Sequence, residues 1–188
     1  MTRHWERRLW WTLWPLLTAF ALLGESVQVR AGTDLVPALE FLGGYAFAVA
    51  GLIAWRRRPT NSFGRLMTAV AVLWFVGTYA DGRVPVVTSV GVAFRGFAAI
   101  GISHLALAYP DGRLRSRGQR VLIGGGYAVL ALASVVEFLT FNPRRDFHCR
   151  CAAAPFGLFS NLSLFRFAYD NKDRVAGLVV LVTVIMLV

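Results

Sequence analysis

LALAYPDGRLRSRGQRV, residues 105–121, breaks an apolar run with a proline, an Asp-Gly pair and four arginines before apolar sequence resumes. Pro110 cannot continue a helix, because its ring clashes with the preceding turn and it has no N–H. Pro-Asp-Gly is a strong turn signal, with proline setting φ and glycine accepting turn geometry. The stretch reads either as a phosphate- or nucleic-acid-gripping loop or as a hinge between two membrane helices. A phosphate loop needs several backbone amides gathered at a helix start, and one turn glycine does not supply them. The hinge reading follows, and an all-α, polytopic transmembrane bundle with it.

Composition agrees. The 188 residues are 56% hydrophobic and only 16% charged, where a soluble domain carries about a quarter; mean hydropathy is +0.55. The basic balance, 20 Lys+Arg against 10 Asp+Glu, would suit nucleic acid if the cations were clustered on one face. They instead fall in short bursts between apolar runs, so no nucleic-acid partner is expected. Nineteen of the twenty are arginine, and Lys172 is the only lysine.

A membrane helix needs roughly 20 mostly apolar residues. Six segments approach this, at about 9–24, 37–55, 66–80, 86–109, 121–140 and 175–188. They make one transmembrane domain, with a long extracytoplasmic loop at 141–174. The last segment has fourteen residues and no basic flank, and is read as a span cut inside or just after its sixth helix.

Cytoplasmic loops carry an excess of Lys and Arg. Arg3, Arg7, Arg8, Arg56, Arg57, Arg58, Arg65, Arg113, Arg115, Arg117 and Arg120 fall on one side. Arg30 and Arg83 mark the short loops opposite, although 141–174 adds six more cations. This predicts a multi-pass plasma-membrane protein with a cytoplasmic N-terminus and an anionic inner leaflet as partner, each arginine there attracted by roughly 1 kcal/mol. Trp10, Trp11, Trp14 and Trp55 suit an interfacial belt. MTRHWERR and the apolar residues after it also have the shape of a signal peptide. The best cleavage site there, Gly24-Glu25-Ser26, is poorly formed, so a retained anchor is expected.

Ionisable groups within spans are functional candidates by default. Four are present: Glu40, Arg95, His104 and Glu137. Arg95 lies about ten residues into the fourth span, roughly 15 Å from the outer surface. Its side chain leans toward the helix N-terminus, and so toward the level of Glu40 and Glu137. An intramembrane Arg–Glu pair is predicted, serving either helix packing or a ligand pocket. His104 falls on the opposite helix face and reads as an interface histidine. Ser103 beside it makes no nucleophile elbow. Small-residue stripes at Ala46, Ala50 and Ala54, with Gly44 and Ala48 alongside, allow close helix packing, and a homodimer is one use of such a surface.

The outer loop carries His148, Cys149 and Cys151. A Cys-x-Cys pair is too close for an easy mutual bridge. Three soft ligands leave a zinc or copper set incomplete; an intermolecular disulfide or redox role, and no special role at all, are the alternatives. The following LFSNLSLFRFAYD is moderately amphipathic and is expected on the outer membrane surface. No nucleotide, zincin or kinase signature is present, so neither catalysis nor a cofactor is expected.

Two loops remain. RRRPTNSFGRLM (56–67) carries Arg58, Pro59, Thr60, Asn61 and Gly64; the opening stretch carries Pro110, Asp111, Gly112, Arg113, Leu114, Ser116 and Arg117. Over about residues 40–188 the chain resembles the membrane-sensor halves of actinobacterial two-component histidine kinases. Those halves carry an Arg-Pro-Thr-Asn-x-x-Gly and a Pro-Asp-Gly-Arg-Leu-x-Ser-Arg segment after membrane helices, and paired cysteines in an outer loop. The resemblance implies a sensory module relaying an envelope signal to a cytoplasmic kinase or response regulator. It does not imply kinase activity, since no phosphoacceptor helix or ATP-binding domain is present. A small transporter or channel lined by Arg95, Glu40 and Glu137 is the alternative reading. A membrane-bound enzyme is disfavoured.

Overall fold

The computed structural model describes residues 3–29, 35–81, 84–142 and 161–188. Seven helices account for most of them: α1 (Arg3–Val29), α2 (Leu35–Arg57), α3 (Ser62–Thr78), α4 (Pro85–Phe94), α5 (Phe97–Leu107), α6 (Arg117–Thr140) and α7 (Leu162–Leu187). A 3-10 turn, Tyr79–Asp81, closes α3. No strand occurs among the described residues.

Helices α2 and α3 run antiparallel, Gly44 lying against Trp74 and Gly64 against Trp55. Thr18 of α1 hydrogen-bonds Tyr45 of α2 at 3.1 Å, while Leu17, Ala48 and Ala71 form one buried cluster of α1, α2 and α3. The second cluster, Ile100, Leu107, Ile123, Leu130 and Val179, joins α5, α6 and α7. A third, Ala80, Val92, Phe141 and Phe165, closes the end where α4 begins and α6 stops. Glycines set the closest approach: a Cβ on Gly64 would lie 2.3 Å from Trp55 N, and one on Gly51 2.7 Å from Thr68 N. The α2–α3 seam therefore runs through Gly44, Ala48 and Gly51, all buried, whereas Ala50 of the expected alanine stripe is exposed.

Three of the expected six spans have helices long and apolar enough to cross a membrane, among the described residues: 38–57, 85–107 and 117–140. The fourth apolar helix, α3, has 17 residues. Outward faces are apolar, with Leu16, Leu39, Leu132 and Ile185 each about two-thirds exposed, as contact with lipid requires.

Two boundaries differ from the sequence expectation. The segment 86–109 is not one helix: α4 ends at Phe94 and α5 starts at Phe97. Between them Arg95 takes ψ 138 and Gly96 takes φ 87, a left-handed conformation that glycine adopts without steric cost. The loop 141–174 is also not all loop, because α7 begins at Leu162 and has 26 residues. An asparagine N-cap explains its start: the Asn161 side chain accepts from Leu164 N at 3.2 Å. Phe165 and Ala168 are buried in the bundle, so this stretch does not lie as a surface helix.

Gly64→Ala tests the seam against Gly43→Ala, whose Cβ would meet nothing within 4 Å. The first is expected to lose stability at the upper end of about 1–3 kcal/mol. The second is expected to hold or gain up to about 1 kcal/mol from helix propensity. Thermal unfolding of the purified protein in detergent reads both.

Candidate functional site

Breaking a helix leaves its last carbonyls without N–H partners. At the end of α4 the Arg95 N–H donates back to Gly91 O and Val92 O. Val92 O and Ala93 O also receive hydrogen bonds from Lys172 Nζ, at 3.0 and 2.8 Å. The same ammonium donates to Ser134 Oγ at 3.2 Å and to Glu137 Oε2 at 2.6 Å. Ser134 Oγ in turn donates to Ala93 O. Lys172 and Glu137 are 2% and 0% exposed, so both charges sit in the interior.

This arrangement corrects the predicted ion pair. Glu137 pairs with Lys172, not with Arg95. The reason is position: Arg95 stands at the helix break, exposed, and its guanidinium reaches Tyr169 of α7 instead. Its Nη1 donates to the Tyr169 hydroxyl, and its Cζ lies 5.2 Å from the ring centroid, a cation–π distance. Lys172 was readable as a candidate. It is the chain's single lysine, and it shares a stripe with the buried Phe165, Ala168, Ala176, Val179 and Thr183 of α7.

Glu40 and Arg95 do face a common space. A cavity of about 420 Å³ between α2, α3 and the break is lined by both, with Trp74, Phe94 and Gly96. His104 belongs elsewhere: it is half-buried in α5, edge-on to Tyr127 with ring centroids 6.1 Å apart. Its Nδ1 is buried without a hydrogen-bond partner. The predicted quartet is thus three separate places: Glu40 with Arg95 on the cavity, Glu137 with Lys172 in the core, and His104 against α6. His148, Cys149 and Cys151 lie outside the described residues.

At the other end of α5 the two motif loops meet. Asn61 caps α3, its Oδ1 accepting from Phe63 N at 2.8 Å, while its Nδ2 donates across to Pro110 O at 3.2 Å. Ser62 Oγ donates to Asp111 O at 3.0 Å and to Gly112 O at 3.2 Å. Phe63 and Tyr109 stack edge to face, centroids 5.6 Å apart. Gly112, at φ 75, lets the loops touch, since a Cβ there would lie 2.5 Å from Phe63 N. Asp111 and Arg115 form an exposed ion pair at 2.9 Å. Ser116 opens α6 with a capping box to Gln119. Arg58, Pro59, Thr60, Arg113 and Arg117 are exposed around this contact. The motifs therefore hold two turns together, and Ser62, which occupies a variable position of its motif, makes two of the bonds.

Cutting one member of the core pair strands the other charge, which costs about 3–5 kcal/mol. Lys172→Ala and Glu137→Ala are each expected to lose that much. The double variant should lose clearly less than their sum, with a coupling energy of about 0.5–3 kcal/mol by thermal unfolding in detergent. Additive losses would remove the pair from the account. No family model, curated protein or solved structure matches this chain, so its function is read from its own residues.

Proposed function

We propose that the chain is a membrane sensory module whose helix bundle relays a signal from the envelope to a cytoplasmic output. In this reading six spans cross the plasma membrane: α1, α2, α3, the α4–α5 pair, α6 and α7. The N-terminus and both motif loops face the cytoplasm, where their arginines meet anionic headgroups. A second copy of the chain and a cytoplasmic kinase or response regulator are the partners the reading implies.

The carrying observation is the docking of the two motif loops through Asn61, Ser62 and Gly112. A bundle that only spans does not require its turns to touch. Here the turn after α2 and the turn after α5 share side-chain hydrogen bonds, so a shift of either helix pair moves both. The α5 helix also links this contact to the Arg95–Gly96 break and the Glu40–Arg95 cavity, about 16 Å away along its eleven residues. A ligand acting on the cavity has a short, rigid route to a cytoplasmic surface.

A transport function is the second reading, and the interrupted span favours it. Broken helices whose free ends meet charged groups recur at the substrate sites of secondary transporters. Against it stands the filled shell at the end of α4, where Lys172 occupies the carbonyls that a solute would need.

Two measurements decide. With Cys149 and Cys151 replaced by serine, single cysteines at Thr60 and Arg113 should resist a membrane-impermeant maleimide in intact cells and react after permeabilisation; labelling in intact cells would reverse the proposed orientation. For output, the chain is joined after Val188 to a dimeric histidine-kinase catalytic core and reconstituted in vesicles. Gly112→Val, which prises the loops apart, is expected to change autophosphorylation by at least about fivefold. Unchanged output from a folded variant removes the relay, and solute uptake by vesicles holding the unmodified chain would install the transport reading.

A further inference from the structure

The shell around Lys172 Nζ holds more oxygen than an ammonium can use. An ammonium has three hydrogens to donate, yet four oxygens lie at 2.6–3.2 Å: Val92 O, Ala93 O, Ser134 Oγ and Glu137 Oε2. A fifth, Glu137 Oε1, is buried beside them with no hydrogen-bond partner. A surplus of acceptors over donors marks a coordination shell more than a hydrogen-bond network. Two of the oxygens are carbonyls at the C-terminal end of α4, where the helix dipole adds negative charge. One carboxylate balances one positive charge. The distances are long for Mg²⁺, about 2.0–2.1 Å, and for Ca²⁺, about 2.3–2.6 Å.

We infer that the end of α4, with Ser134 and Glu137, is a binding site for a monovalent cation of potassium or ammonium size, which Lys172 fills as a tethered ion. The lysine arrives from α7 on a flexible four-carbon stem, while the oxygens belong to α4 and α6. A movement of α7 that withdraws the ammonium leaves a buried carboxylate without its counter-charge and two carbonyls that keep only the Arg95 N–H and the Ser134 hydroxyl. A free monovalent cation restores the charge and the coordination without any net change. Release of α7 is thereby coupled to uptake of one cation. The inference stands apart from the sensory reading, because the shell exists whichever output α7 serves.

The test removes the tether. Lys172→Ala, purified in detergent, is unfolded thermally in increasing K⁺, in methylammonium, and in N-methylglucamine at the same ionic strength. Potassium and methylammonium are expected to raise Tm saturably, and N-methylglucamine is not. At ten times the half-saturating concentration the folding constant should rise about elevenfold. The unmodified protein, with its site filled, should respond to none of them, and Lys172→Ala/Glu137→Gln should lose the response. Equal response to all three cations, or a response kept in the double variant, overturns the site. Should Lys172→Ala not survive extraction in N-methylglucamine, the yield of monodisperse protein becomes the readout. Recovery in K⁺ or methylammonium then supports the site, and loss in all three buffers overturns it.

Discussion

The rest of the bundle depends on one buried ammonium. When α4 stops at Phe94, its terminal carbonyls face the interior instead of continuing into the next turn. An unpaired buried carbonyl costs free energy comparable to a lost hydrogen bond. Lys172 supplies the missing donors, and Glu137 supplies the charge that makes a buried ammonium tolerable. Three helices are fixed by this contact: α4 by its carbonyls, α6 by Ser134 and Glu137, and α7 by the lysine. The aromatic rings of Phe141, Phe165 and Tyr169, with centroids under 6 Å apart, pack α7 against the end of α6, where Phe141 N donates to Glu137 O.

The break has a second consequence, carried by Arg95. In a continuous helix this residue would project from the wall of the span. At the break it swings to Tyr169 on α7, so two residues at α4's end, Ala93 and Arg95, both hold the same helix. Past the break α5 resumes and packs on α3 through Gly101, whose absent Cβ would meet Val70 at 2.7 Å. That contact delivers Tyr109 and the Pro-Asp-Gly turn onto Phe63 and Ser62. The docked loops are therefore the far end of a path that starts where α4 ends.

Much of this was legible in the residues. Pro110-Asp111-Gly112 marked a turn, and Ser116 with Gln119 gave a capping box at the start of α6. Asn61 similarly capped α3. Long apolar segments announced helices. The role of Lys172 was hidden by averaging. In YDNKDRVAG the charges lower the mean hydropathy, and the stretch reads as loop, although Lys172 falls on the same face as Phe165, Ala168 and Val179. Spacing held the signal that averaging removed. The Arg95–Gly96 break is a different case. Arg-Gly inside a span is compatible with a continuous helix, and only the donors offered by α7 make the broken form affordable. Likewise the Asn61–Pro110 and Ser62–Asp111 bonds join residues 49 apart, beyond the reach of local pattern.

The chain's preference for arginine sharpens the point about Lys172. At nineteen positions its cation is a guanidinium, a planar fork that stays charged and matches carboxylates and phosphates at surfaces. Those nineteen include every cation of the two motif loops. Among the described residues, the cation fully enclosed by oxygens from two other helices is the lysine. A guanidinium carries five N–H donors spread over a plane, wider than a shell centred on one nitrogen with four oxygens within 3.2 Å. Substituting arginine would push α6 and α7 apart or leave donors unpaired in the core. An ammonium fits because it is compact and nearly spherical, the same qualities that would let a free ion stand in its place.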